Sequence, residues 1–358
     1  MIETLKTINM TPFITIFIVS FFLALITTPL AIKIGLKLGI VDFPDKRKVH
    51  KKIMPRSGGI GVFIAFFVSY ILSELIFNPF TNPVFIHFLV CCVLIFSLGI
   101  TDDKFNLPAK LKFVVQTLIA IYFSVFVYSI HSVHLPFFDH PIQLGLLSIP
   151  ITVLWIVGIT NAFNLIDGLD GLASGVAGIS SLTFFFVALS LGNVIVAFLS
   201  LILSGTLFGF LFFNSHPAKV FLGDSGSLFI GFFMAVVSVL ELKQVAVVSF
   251  ITPIMIFFIP ISDTIYAIVR RKLNKQPIFQ PDKSHLHHCL LSLGFSHRTT
   301  VWIIYSFCLF FSIGAFVSIK IAVELSVVLL LVYLAGFQIF AKKIGMFPKL
   351  RRKISEKN

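Results

Sequence analysis

Eleven stretches of the chain are almost wholly apolar, at about 12–32, 59–77, 83–101, 111–130, 145–160, 174–191, 194–213, 226–241, 245–268, 300–319 and 324–341. A helix needs about 20 such residues to cross a bilayer, so eleven crossings take about 220 of the 358 residues and leave about 138 for loops. No large soluble domain fits in that remainder. The pattern therefore predicts an all-α, polytopic membrane protein of about eleven transmembrane helices, forming a single integral membrane domain over residues 1–358. The first stretch, Pro12 to Ile32, is longer than a signal-peptide core and has neither a basic leader nor a small-residue cleavage site. It is expected to be a retained helix.

Composition agrees: 57% of residues are apolar, 12% are charged and the mean hydropathy is +1.02, which excludes an ordinary soluble domain. The 44 Phe are expected to face lipid. Cys91, Cys92, Cys289 and Cys308 form no CxxC pair and read as small packing residues. Basic residues settle the expected orientation. With the N-terminus outside and the C-terminus cytoplasmic, 25 of the 28 Lys and Arg fall on the cytoplasmic side, leaving only Lys6, Lys243 and Lys320 outside. The net charge of +13 is then gathered on one face, toward anionic lipid headgroups and anionic substrates. Nucleic acid is not an expected partner, because the basic residues lie in short loops and no binding motif accompanies them.

Ten of the fifteen acidic residues and six of the ten histidines fall on the same side. Orientation rules act on Lys and Arg and barely on Asp and Glu, so this enrichment points to a site. Asp102 and Asp103 end the third stretch, a carboxylate pair that needs a cation or a proton near a membrane edge. Lys110 and Lys112 follow as point charges able to hold phosphate. In NAFNLIDGLDGLASG, Asn161, Asn164, Asp167 and Asp170 recur every third residue, which would align four oxygen-bearing side chains on one helical face. In HPAKVFLGDSGSL, Asp224 sits between Gly223 and Ser225 and suits a hard cation such as Mg²⁺, or else caps the eighth span. Phe221 can stack on a base from three residues away.

Two more segments are basic. In PDKSHLHH, Ser284 can cap a helix whose first turn carries His285, His287 and His288, a combination that favours an anion. Zinc is disfavoured there, since no second ligand pair stands at zinc spacing. In DFPDKRKVHKKIMPRSGGIG, a basic run including Lys51 precedes Gly58 and Gly59, a loop able to bring cations and backbone amides to a diphosphate. Orientation alone would also produce this run.

Hard-metal carboxylates, cations and a glycine-bearing loop at one membrane edge describe phosphoryl transfer to a lipid acceptor. No P-loop is present. A secondary transporter would place such acids near the midplane on interrupted helices. A phosphotransferase using a CDP-alcohol donor would need a denser set of aspartates.

The four motifs DDKFNL, NAFNLIDGLDGLASG, HPAKVFLGDSGSL and PDKSHLHH, in this order among the spans, resemble the polyprenyl-phosphate N-acetylhexosamine 1-phosphate transferase family, and within it the bacterial enzymes that start wall teichoic acid or related surface polymers. The resemblance implies transfer of N-acetylglucosamine 1-phosphate from UDP-N-acetylglucosamine to undecaprenyl phosphate, releasing UMP, with Mg²⁺ (or Mn²⁺) as cofactor. It implies a multi-pass cell-membrane enzyme with a cytoplasmic active site, and a homodimer is compatible with it. Asp224 and Asn164 would contact the metal, Asp102 would be the base on the lipid phosphate, and Asp103 would support the metal or its waters. Lys112 would touch phosphate. Asp167 and Asp170 would line the uridine side with Phe221 on uracil, while His285, His287, His288 and Lys51 would bind sugar or diphosphate.

Overall fold

The computed structural model describes residues 9–43, 53–80, 82, 84–133, 140–244, 250–277 and 284–346. Thirteen helices run through the described residues: α1 (Thr11–Leu38), α2 (Gly58–Phe77), α3 (Val84–Phe105), α4 (Ala109–Phe126), α5 (Ser148–Ile166), α6 (Leu172–Leu191), α7 (Val194–Asn214), α8 (Gly223–Gln244), α9 (Ile251–Ile256), α10 (Phe258–Leu273), α11 (Leu286–Ser292), α12 (His297–Ser318) and α13 (Val323–Lys343). Two short antiparallel pairs interrupt the all-helical pattern, β1 (Val41–Asp42) with β2 (Met54–Pro55) and β3 (Ser132–Val133) with β4 (Ile142–Gln143). Ten of the helices are long and apolar enough to cross a membrane. The protein is thus an all-α polytopic membrane protein.

The stretch expected to cross at 245–268 is divided. It forms α9 and α10, parted at Phe257, and residues 245–249 lie outside the described residues. Pro260 supplies the reason: it has no N–H to offer the Ile256 carbonyl, and its ring crowds that carbonyl, so a continuous helix fails there.

Three helices, α6, α7 and α8, form the buried centre, while only 11% of α13 is covered. Without a hydrophobic drive between helices in lipid, close packing depends on small residues. Gly175 of α6 leaves room for Tyr305 of α12, and Gly209 of α7 lies against the Phe21 carbonyl of α1. A Cβ on Gly231 of α8 would stand 2.7 Å from the Thr160 carbonyl of α5. Contrary to the expectation for phenylalanine, eleven of the largest fully buried side chains are Phe, among them Phe66, Phe163 and Phe233. Aromatic rings fill the wide gaps that the glycines do not close, for instance Phe63 stacked on Phe96 at 3.7 Å.

Short connections make successive helices antiparallel. One end of the bundle therefore collects the C-terminal ends of α3, α5 and α7 and the N-terminal ends of α2, α4, α6, α8 and α12, joined by hydrogen bonds between them.

Candidate active site

The first turn of α8 is the centre of this end. Gly99 lets α3 run directly against it: a Cβ there would meet Asp224 O at 2.6 Å and Ser225 N at 2.7 Å. That contact carries Asp103 to the helix start, where its two oxygens accept the backbone N–H groups of Asp224 (2.8 Å) and Ser225 (2.9 Å). Asp103 thereby caps α8 from a neighbouring helix and complements its positive end. The side chain of Asp224, relieved of capping, is free to face outward. Lys112 Nζ donates to Asp224 Oδ2 at 2.8 Å and to Asp102 Oδ2 at 2.7 Å, and Asp102 Oδ1 accepts from Leu107 N. Arg56 approaches both Asp103 and Asp224 at 3.5 Å. Two cations thus hold three carboxylates, a part-buried network in which each carboxylate has a cation within 3.5 Å.

Arg56 is fixed by backbone. Phe221 N donates to Pro55 O, and Gly58 N and Gly59 N donate to Phe221 O and Leu222 O. Neither glycine can carry a side chain, since a Cβ on Gly58 would lie 2.6 Å from Phe221 O and one on Gly59 2.6 Å from Gly226 Cα. This corrects the expectation for the Gly58–Gly59 loop: its amides bind the 221–222 backbone and not an anion.

Across from Asp224, α5 ends at Ile166, so the Asn/Asp series leaves the helix halfway. Asn164 donates through Nδ2 to Ser227 Oγ at 2.8 Å, which turns its carbonyl oxygen to the open side. Asp167 follows at the helix end and Asp170 lies in the turn closed by Gly171 in a left-handed conformation (φ 76°). Asn214 Oδ1 ties that turn down by accepting from Gly171 N and Ser174 Oγ. Asn164, Asp167, Asp170, Asn214, Phe221, Asp224, Arg56 and His288 line one cavity of about 720 Å³. Asn161 does not join them, because its Nδ2 is bound to Gln116 and to the Val157 carbonyl.

Several expected residues stand one step back. Asp102, Asp103 and Lys112 do not line the cavity and reach it through Asp224. Of the three histidines only His288 lines it. His285 is buried with Nδ1 on Asp263, and His287 is buried against Gly168, whose missing Cβ leaves the space for the imidazole. Burial, followed by neighbouring His288, pushes His287 down to about 3, so it is neutral and does not supply charge to an anion. Lys51 lies outside the described residues.

The cavity also holds residues that sequence reasoning did not single out. Asp170 Oδ2 accepts from His216 Nδ1 (2.8 Å) and Ala218 N (3.2 Å), and the His216 ring stacks on His297 at 4.2 Å. Donor atoms of Asp170, His216 and His297 all lie within 4.8 Å of one another. The two imidazoles are within 22° of parallel, so their in-plane lone pairs run in neighbouring planes and do not converge on one ion. The oxygen set of Asp224, Asp167 and Asn164 fits a hard divalent cation better. Burial, with the Asp224 charge next, pushes Asp167 up to about 8.

Comparison with known proteins identifies relatives of the chain. A model of glycosyl transferase family 4 matches residues 85–241, which contain three of the four motifs. The chain is similar to a Bacillus subtilis (strain 168) protein named probable undecaprenyl-phosphate N-acetylglucosaminyl 1-phosphate transferase, with 43% identity across 96% of this chain and 97% of that protein. A Thermotoga maritima protein named undecaprenyl-phosphate alpha-N-acetylglucosaminyl 1-phosphate transferase is 33% identical, over 83% of this chain and 86% of its own. A Mycobacterium tuberculosis decaprenyl-phosphate N-acetylglucosaminephosphotransferase is 33% identical, over 79% and 76%.

Proposed function

This chain belongs to glycosyl transferase family 4, and from that we propose that it transfers N-acetylglucosamine 1-phosphate from UDP-N-acetylglucosamine to undecaprenyl phosphate, as the first membrane step of a cell-surface polymer such as wall teichoic acid. The observation that carries the reading is Asp224, held between Lys112 and Arg56 at a cavity edged by Asn164 and Asp167, at one end of a bundle of apolar helices. A transport site would sit at mid-depth and open to both sides, whereas these residues come from helix ends on one side.

In the proposed reaction an oxygen of the lipid phosphate attacks the sugar-bearing phosphorus of the donor, the bond from that phosphorus to the bridging oxygen breaks, and UMP leaves. Asp224, Asn164 and Asp167 are the residues that would hold Mg²⁺, which when bound neutralises diphosphate oxygens. Arg56 lies where it can hold the leaving nucleotide, and Phe221 where it can stack on uracil. Lys112 holds Asp224 in place and offsets its charge where the lipid phosphate must approach. Both oxygens of Asp102 are engaged, one by Lys112 and one by Leu107 N, which suits it to fixing Lys112. A phosphate monoester is already largely dianionic at neutral pH, so attack needs little help from a base. Asp102 therefore acts on this reading by holding Lys112.

The excess of Lys and Arg on the site's side supports a cytoplasmic active site in the cell membrane, with the N-terminus outside. The test is to incubate purified protein with undecaprenyl phosphate, Mg²⁺ and a panel of UDP-sugars. UMP release that requires the lipid and is fastest with UDP-N-acetylglucosamine is expected. No release with any donor would overturn the reading.

A further inference from the structure

Asp263 lies on α10, outside every motif discussed so far, and is 2% exposed. Its Oδ2 meets His285 Nδ1 at 2.8 Å and its Oδ1 accepts Leu286 N at 2.7 Å. Both oxygens of Asp263 are thus taken up by the start of α11. Leu286 is the first residue of α11, and the position before it, His285, makes no capping bond with its own side chain. One carboxylate from α10 therefore both caps α11 and grips its leading imidazole.

The short α11 has too few residues to be stable by itself. It nevertheless carries His287 and His288. His287 seats on Gly168, in the turn between Asp167 and Asp170, and the His288 ring, 4.2 Å from that of His287, lines the cavity. Contacts thus run without a break from Asp263 through His285 and α11 to Gly168 and the donor side of the cavity. Direct work on an anion by His285 is ruled out by its burial at 5% exposure and by its bond to Asp263.

We propose that Asp263 and His285 form a positioning pair that sets the register of α11, so that His287 locks the Asp167–Asp170 turn and His288 faces the nucleotide sugar. The pair touches no substrate. It rests on the proposed reaction only in naming that ligand, and predicts an effect on the donor and none on the lipid acceptor.

The test uses the full-length protein in detergent with Asp263→Ala, Asp263→Asn, His285→Ala and the double variant Asp263→Ala/His285→Ala. Asp263→Asn keeps an acceptor for Leu286 N but turns an amide N–H₂ toward His285, so it separates the cap from the imidazole grip. Asp263→Ala is expected to raise KM for UDP-N-acetylglucosamine at least tenfold, with KM for undecaprenyl phosphate within twofold. Asp263→Asn should fall between Asp263→Ala and wild type. The double variant should be no worse than the worse single one, the signature of two residues acting as a unit. Amide hydrogen exchange is read in parallel without substrate: faster exchange over residues 286–292 in Asp263→Ala, with α6 to α8 unchanged, is expected. Unaltered protection of 286–292, or equal losses in both KM values, overturns the inference. Exchange is independent of the reaction, so a wild-type protein inactive on every donor would defeat the proposed function while leaving this result to decide the pair. If a variant fails to fold, loss of protection over α6 to α8 reveals it, and Asp263→Asn then serves as the deciding variant.

Discussion

A single methyl group added where α3 meets α8 tests how the site is assembled. In Gly99→Ala the new Cβ would stand 2.4 Å from Ser225 Cα, 2.6 Å from Asp224 O and 2.7 Å from Ser225 N, whereas ordinary contact begins at 3.4 Å. All three obstacles on α8 are backbone, so α3 and α8 must part by about 1.0 Å, the difference between 2.4 and 3.4 Å. The bonds from Asp103 to Asp224 N and Ser225 N, now 2.8 and 2.9 Å, would then pass 3.5 Å and cease to be hydrogen bonds. Overpacking costs about 1–3 kcal/mol, and a displacement of about 1 Å at a reacting group costs on the order of 100-fold in rate. UMP release by Gly99→Ala should accordingly fall about 100-fold, with a modest drop in melting temperature. Gly158→Ala, on α5 where nothing lies within 4 Å of the added Cβ, is the matched control and should be neutral in both measurements. Turnover of Gly99→Ala within threefold of wild type would refute the claim that Asp103 places Asp224 through this close approach.

Other outcomes follow from the same geometry. Asp224→Asn and Lys112→Met should each lower kcat by two or more orders of magnitude with unchanged far-UV circular dichroism, because each removes charge that acts in the transition state; near-normal UMP release by both would contradict the site. Asp167 titrates near 3.9 when unfolded and about 8 when folded, so its contribution to stability is complete below 3.9 and is lost as pH rises through 8. In EDTA, the melting temperature of wild type should therefore fall relative to Asp167→Asn between pH 5 and 8.5, and parallel curves would show that the carboxyl is not held up. Cys91→Ala with Cys92→Ala removes two fully buried thiols from the core and should cost stability of about 1 kcal/mol per site with activity within twofold; severe inactivation would assign these thiols a role in turnover.

Much of the fold was legible because bilayer crossing leaves a long and unambiguous apolar signal. The stretch at 245–268 was the exception, since hydropathy registers Pro260 only weakly while backbone geometry registers it decisively. Within the site, Asp167, Asp170 and Asp224 line one cavity, but not on the single helical face that their spacing suggested, since the series leaves α5 at Ile166, and the division of labour among the motif carboxylates was not readable. Asp102 and Asp103 are neighbours in sequence and of one residue type, yet one grips Lys112 and the other caps α8, and only the approach of α3 to α8 at Gly99 separates them. Arg56 was hidden inside a basic run that orientation already explained. His285 and His288 share a motif and differ in role because Asp263, 22 residues earlier, claims one of them. Asn214 and His297 carried no sequence signal beyond residue type, and His216 only its place at the head of HPAKVFLGDSGSL, since each acts through a tertiary partner.

The most direct measurement follows the phosphorus. Purified protein is supplied with undecaprenyl phosphate and UDP-N-acetylglucosamine labelled with ³²P only at the sugar-bearing phosphate, and products are separated into organic and aqueous phases. Label is expected in a lipid diphosphate, in step with unlabelled UMP and at one label per UMP released. Label retained in water-soluble sugar phosphate or inorganic phosphate while UMP is released, or lipid carrying sugar without label, would contradict transfer of the sugar phosphate as a unit.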